Sequence, residues 1–130
     1  GLFGPGNHGS TFGGNPLACA AGLVTFDTIV DDKLMDNAIA IGDMIRKGMA
    51  EALSDVAGVV DIRGHGLMIG IELDRPCGAL MARAVEHGLL LSVTADRVVR
   101  LLPALTFTAD EAQTLVSMLA PMIRDFLANG

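Results

Sequence analysis

The residues best suited to chemistry lie near the start of the chain. Ser10 and Thr11 set two hydroxyls side by side, flanked by Gly9 and by Gly13-Gly14, with His8 before them and Asn15 after. Glycine lets a backbone approach a ligand closely, and its N–H groups together with hydroxyls form a donor-rich concavity. Such a donor set suits an anionic oxygen, for instance one of a phosphate. An ordinary solvated loop is the plainer reading of the same residues. The segment is not a Walker loop, because no Gly-Lys-Ser/Thr follows, and it lacks the GxGxxG spacing of a dinucleotide turn. Arg100 is the second candidate, in the apolar run Val98-Val99-Arg100-Leu101-Leu102. A guanidinium there either makes a structural ion pair or offers its bidentate fork to a carboxylate.

The remaining polar residues read as structural. Lys33 and Lys47 sit in or beside an amphipathic segment, where solvated charge is expected rather than the lowered pKa of a nucleophilic amine. Glu72 falls within an apolar run and needs a partner if buried; Arg63 is the candidate. His8 is expected to shape its loop, and His65 and His87 to be structural or exposed. Cys19 and Cys77 show neither CxxC nor Cys/His spacing, so each reads as a buried free thiol and no metal site is expected.

These residues need elements to hold them. Residues 1–15 are too rich in glycine for regular structure. Asn15-Pro16 then opens a helix as cap and first helical residue, running to about Asp31-Asp32. A second helix spans about Lys33 to Ser54, with Leu34, Ala38, Ile41, Ile45, Met49 and Leu53 forming one stripe. Gly42 and Gly48 weaken it by about 1 kcal/mol each relative to Ala. Val59–Arg63 and Leu67–Leu73 read as strands joined through Gly64-His65-Gly66, the second apolar on both faces apart from Glu72. A third helix is expected from Asp74-Arg75-Pro76 to about His87, stopped by Gly88. Short strands are expected at Leu89–Leu91 and Val98–Leu102. Thr108-Ala109-Asp110-Glu111 forms a capping box for a last helix carrying Leu115, Leu119, Met122 and Phe126, with Pro121 expected to kink or interrupt it. The order predicts an α+β fold, a small antiparallel sheet covered by helices on one face.

Bulk properties set the limits. At 130 residues, the chain suits one domain of modest core, and with 51% hydrophobic but 4% aromatic residues that core must be aliphatic. A net charge of −6 and no basic stripe argue against nucleic acid or an anionic membrane as partner. No apolar run approaches the roughly 20 residues that span a bilayer, and no secretory signal is visible, so a cytoplasmic location is expected. Gly1-Leu2-Phe3-Gly4-Pro5-Gly6 opens in mid-loop without an initiator Met, which is expected of a piece of a longer chain.

One resemblance extends the reading. Pro5-Gly6-Asn7-His8-Gly9-Ser10-Thr11-Phe12-Gly13-Gly14-Asn15-Pro16-Leu17-Ala18-Cys19 resembles the PGxHGSTxGGNPLxC signature of class III aminotransferases, the family of the acetylornithine, ornithine and 4-aminobutyrate enzymes. Val60–Leu73, containing Arg63-Gly64-His65-Gly66-Leu67-Met68, and Arg100-Leu101-Leu102-Pro103-Ala104-Leu105 agree with it in the same order. The chain most resembles the C-terminal portion of the acetylornithine type. The resemblance implies a fold-type I small domain over residues 32–130, preceded at 1–31 by a loop crossing to the active site and a connecting helix of the large domain. It implies pyridoxal 5'-phosphate as cofactor, bound as a Schiff base to a lysine upstream of this segment, and homodimers with shared active sites. It further implies that Thr11 donates to the cofactor phosphate of the partner subunit, that Ser10 touches phosphate or substrate, and that Arg100 pairs with a glutamate or binds a substrate carboxylate. The implied reaction moves the terminal amino group of N2-acetylornithine to 2-oxoglutarate in arginine biosynthesis. Ornithine, succinylornithine or 4-aminobutyrate are the alternative donors, and a non-catalytic α+β interaction module is the rival from another class. No catalytic residue is expected within this chain, which lacks a lysine in the family's context and should be inactive alone.

Overall fold

The computed structural model describes Leu2 and residues 4–129; Gly1, Phe3 and Gly130, the first two belonging to the expected opening loop, lie outside the described residues. Two compact units are present, residues 1–34 and residues 35–130.

The first unit is a loop followed by helix α1, Pro16–Asp31. Asn15 caps it with extended backbone, its side-chain oxygen accepting from Ala18 N–H at 2.9 Å, and Pro16 takes a position whose N–H would have no helical partner. No residue of α1 is buried, and Leu17, Leu23, Val24 and Phe26 are all exposed. Cys19, expected as a buried free thiol, is instead exposed, like the large apolar residues of this helix.

The second unit carries α2 (Leu34–Ala52), β1 (Val59–His65), β2 (Met68–Leu73), α3 (Ala79–Glu86), β3 (Ser92–Thr94), β4 (Val98–Leu101) and α4 (Ala109–Asn129). The strands form one antiparallel sheet in the order β1-β2-β4-β3. Strand alternation puts Ile69, Ile71, Leu73, Val99 and Leu101 on one face, where they join Ile41, Ile45 and Met49 of α2, Leu80 of α3 and Leu115, Leu119 and Ile123 of α4 in a single core. Burying each such side chain is worth about 1.5–3 kcal/mol. The expected α+β arrangement, with helices on one face of a small antiparallel sheet, is the one observed.

Two local expectations are corrected, and of the two outcomes expected at Pro121 the interruption does not occur. The third helix starts at Ala79, not near Asp74, because the backbone donors before it are already used. Leu73 N–H donates to Arg97 C=O at 2.9 Å, Asp74 N–H to Gly58 C=O at 2.8 Å and Cys77 N–H to Asp96 C=O at 2.9 Å, while Pro76 has none to give. Leu89–Leu91 is not a strand: Leu89 N–H still bonds Ala84 C=O at the end of α3, and pairing begins only at Ser92, opposite Arg100. Pro121 lies inside α4 without ending it. It sits on the exposed side of a helix whose buried stripe of Leu115, Leu119, Met122, Ile123 and Leu127 anchors both halves.

One close approach holds the sheet to α2. A Cβ on Gly42 would lie 2.0 Å from the carbonyl oxygen of Gly66, in the β1–β2 turn. Gly66, with φ +50, supplies the positive φ that the first central residue of a two-residue hairpin loop requires. Arg46 reaches the same carbonyl at 3.3 Å.

Candidate functional site

The opening loop is folded on itself by its own short polar side chains. Asn7 Oδ1 accepts from Gly4 N–H at 2.5 Å, and Ser10 Oγ accepts from Gly13 N–H at 2.8 Å. Asn15 donates its amide to Phe12 C=O at 2.5 Å while capping α1 with its oxygen. These i to i+3 closures are the turns that Ser and Asn favour by bonding nearby backbone. Gly6 and Gly14 hold φ of +84 and +77, a region costly to side-chain-bearing residues. The loop thus turns tightly at residues 10–13 and leads straight into α1.

Thr11 stands at that turn, exposed. No hydrogen bond engages its hydroxyl among the described residues. Ser10, its neighbour, uses an oxygen lone pair on Gly13 and keeps its O–H proton to donate. The turn places the two hydroxyls next to each other at the surface. The donor set fits a phosphate: two hydroxyls and accessible backbone N–H groups, with no carboxylate in the loop to oppose an anion.

Arg100 lies in the other unit, on the sheet face away from the helices. Its register partners are Gly70 on β2 and Ser92 on β3, and Arg63 pairs with Gly70 from β1. One row across the outer face therefore reads Arg63, Gly70, Arg100, Ser92. The next row reads Asp61, Glu72, Val98, Thr94 by the same pairings. Arg63, His65, Met68, Gly70, Thr94 and Arg100 line an open concavity of about 530 Å³ on this face.

Charges on this face are unevenly matched. Glu72, its side chain 17% exposed, accepts from Arg63 at 2.7 Å and pairs with Arg97 at 3.0 Å. Arg63 also bonds Asp61 at 2.9 Å, and these two carboxylates, Asp61 first, raise the guanidinium pKa further. The expected Arg63–Glu72 pairing is present; Arg97 is a partner that sequence reasoning missed. It follows Asp96 in the β3–β4 turn, and only the folded register brings it beside Glu72. Arg100 makes no salt bridge among the described residues, and its one side-chain hydrogen bond is from Nε to Ser92 Oγ at 3.1 Å. A guanidinium with both terminal nitrogens unpaired can take an external carboxylate bidentately.

Lys33, Lys47, His87 and Cys77 are not drawn into either group. Lys47 is exposed on α2, and Lys33 is an exposed residue with φ +52 between α1 and α2. His87 is tied through Nδ1 to Arg83 C=O at 2.8 Å, a local structural role. Cys77 is buried in the core, which pushes its thiol pKa up and makes it a poor nucleophile. Among the described residues no cluster of His, Cys, Asp or Glu suits a metal ion, and no helix is long and apolar enough to cross a membrane. Among the described residues two elements thus carry donors without an acidic partner, the Ser10–Thr11 turn and the Arg100 guanidinium.

Comparison with known proteins agrees over nearly the whole length. A family model described as Aminotransferase class-III matches residues 1–123. Acetylornithine aminotransferase 1 of Bordetella parapertussis is 54% identical over 128 residues, covering 98% of this chain and 33% of that protein. The chain spans about a third of the length of the curated relatives it matches. Among solved structures, the acetylornithine aminotransferase of Elizabethkingia anophelis is similar at TM-score 0.83 and 33% identity, over 96% of this chain and 34% of that one. The ornithine delta-aminotransferase of Plasmodium falciparum is similar at TM-score 0.86 and 30% identity, over 99% and 34% respectively.

Proposed function

Since the chain belongs to the class-III aminotransferase family, we propose that it forms the C-terminal portion of an acetylornithine aminotransferase and supplies two of the anion-binding parts of its active site. Residues 1–31 are the loop that crosses to the site and the connecting helix of the large domain; residues 32–130 are the small domain. The observation that carries this reading is the exposed Thr11 hydroxyl beside Ser10, at the turn of a loop closed by its own Ser10 and Asn15 bonds.

The cofactor is pyridoxal 5'-phosphate, which when bound takes up an amino group from one substrate and gives it to another. Thr11 donates its hydroxyl to the phosphate, and Ser10, its oxygen already accepting from Gly13, donates its remaining proton to phosphate or substrate. A hydrogen bond to a charged oxygen contributes about 1.5–3 kcal/mol. Arg100 binds a substrate carboxylate through its terminal nitrogens. The lysine that carries the cofactor lies in the part of the longer polypeptide outside this segment, so Lys33 and Lys47 take no part. The protein is a cytoplasmic homodimer with active sites shared between subunits, and Thr11 serves its partner's phosphate.

The substrates are N2-acetylornithine and 2-oxoglutarate, and the pathway is arginine biosynthesis. What supports the acetylated donor is that curated relatives at 54% and 48% identity are acetylornithine aminotransferases; the solved acetylornithine and ornithine enzymes, at 33% and 34% identity, do not separate the two donors. The test is Thr11→Ala in the full-length protein, with cofactor affinity measured by fluorescence titration of the stripped enzyme. Affinity should fall about tenfold or more; unchanged affinity would remove Thr11 from the phosphate site.

A further inference from the structure

We infer that Ser92 is the positioning residue for Arg100, fixing which edge of its guanidinium faces the substrate. The inference rests on the reading of Arg100 as a carboxylate binder. Ser92 and Arg100 are direct partners in the β3–β4 register, so their side chains leave the sheet on the same face. Ser92 Oγ accepts from Arg100 Nε at 3.1 Å. Because no carboxylate competes for this guanidinium among the described residues, that hydroxyl is what orients it. On the far side the register partner is Gly70, which has no side chain to lean on.

The consequence is geometric. A guanidinium can meet a carboxylate through its side edge, using Nε and one terminal nitrogen, or through its end, using both terminal nitrogens. With Nε held by Ser92, the end remains. Arg100 therefore offers two parallel N–H groups at the end of a long side chain whose torsions are already restrained, and less rotamer freedom is lost when a carboxylate binds. Arg63 and Arg97 cannot substitute for it, since both are bound to Glu72. The uneven pairing on this face thus selects one arginine for ligand.

The experiment uses the full-length enzyme with cofactor bound and compares Ser92→Ala, Ser92→Thr and Arg100→Lys, alone and with Ser92→Ala added to Arg100→Lys. Two quantities are read: the KM and kcat for 2-oxoglutarate, and the dissociation constant of glutarate, a non-reacting dicarboxylate, by calorimetry. Ser92→Ala should raise KM and the glutarate constant about five- to tenfold, with kcat moving less than about twofold. Ser92→Thr, which keeps the hydroxyl and suits a strand, should restore both. In the Arg100→Lys background, Ser92→Ala should add nothing, since Nε is gone. Unchanged glutarate binding in Ser92→Ala, beside weakened binding in Arg100→Lys, would overturn the role of Ser92 and leave that of Arg100 standing. Unchanged binding in both would overturn the carboxylate reading itself. An equal loss from Ser92→Ala with Lys at 100 would show that Ser92 acts independently of Arg100.

Discussion

At the scale of single residues, the two proposed anion-binding elements differ in how they are made ready. Thr11 is displayed by turns that close through neighbours three residues away, so its presentation is written into local sequence. Arg100 is displayed by tertiary register, and its availability depends on Glu72 engaging the two other arginines of that face. Arg100→Lys keeps a positive charge but loses the planar fork, so it tests geometry rather than charge. Steady-state kinetics should show the KM for the keto acid rising about tenfold, with KM for the amine donor less affected. An unchanged keto-acid KM would return Arg100 to a surface role. This difference also explains what could be read in advance. The hydroxyl pair was legible from residue type and order, and Arg63 as a partner for Glu72 from the need to neutralise a carboxylate in an apolar run, whereas a binding role for Arg100 came from the family resemblance. Ser92, Arg97 and Gly70 were not legible, because only strand pairing, set by residues far apart in the chain, brings them to the site.

At the scale of elements, the stripe on α2, the Asn15-Pro16 start of α1 and the capping box of α4 were legible, since each is encoded within a few residues. Boundaries set by distant partners were not. The Arg97, Gly58 and Asp96 carbonyls take the N–H groups of Leu73, Asp74 and Cys77, and α3 starts only at Ala79. Gly42 illustrates the same competition. Helix propensity alone makes Gly42→Ala stabilising by about 1 kcal/mol. The new Cβ, however, would fall 2.0 Å from a backbone carbonyl in the β1–β2 turn. Overpacking of that kind costs about 1–3 kcal/mol, so the variant should lower the thermal midpoint. Gly48→Ala is the control: its Cβ would meet the Val116 side chain at 3.1 Å, which can shift. A Gly42→Ala protein as stable as wild type would contradict the close approach.

The capping box gives a pH dependence. Glu111 accepts from Thr108 N–H and from Thr108 Oγ1, both at 2.8 Å, and these bonds, the backbone one first, lower its pKa below the ordinary 4.5. A carboxyl whose pKa is lowered on folding stabilises above its unfolded value, and that contribution is lost as pH falls through the folded value. Glu111→Gln should therefore be less stable than wild type at neutral pH, with the gap closing below about pH 4. Circular dichroism melts at the two pH values check this; a gap independent of pH would mean that ionised Glu111 does not cap α4.

At the scale of the molecule, the proposed function makes the chain a segment that contributes binding groups to a site completed elsewhere. The core of the second unit, built on one sheet face, leaves the opposite face for Arg100, while α1 buries nothing of its own. The rival reading as a non-catalytic module loses its ground once the family match extends over residues 1–123. What distinguishes the proposal is that Thr11 works across a subunit boundary, and a hybrid dimer tests this directly. One subunit carries Thr11→Ala and the other lacks the upstream cofactor-binding lysine; cofactor affinity is then titrated in the purified hybrid. If Thr11 serves its partner, the subunit with the intact lysine receives its partner's intact Thr11, and one site of wild-type affinity per dimer is expected. If the only remaining site binds as weakly as in the Thr11→Ala homodimer, the loop serves its own subunit and the shared site is contradicted.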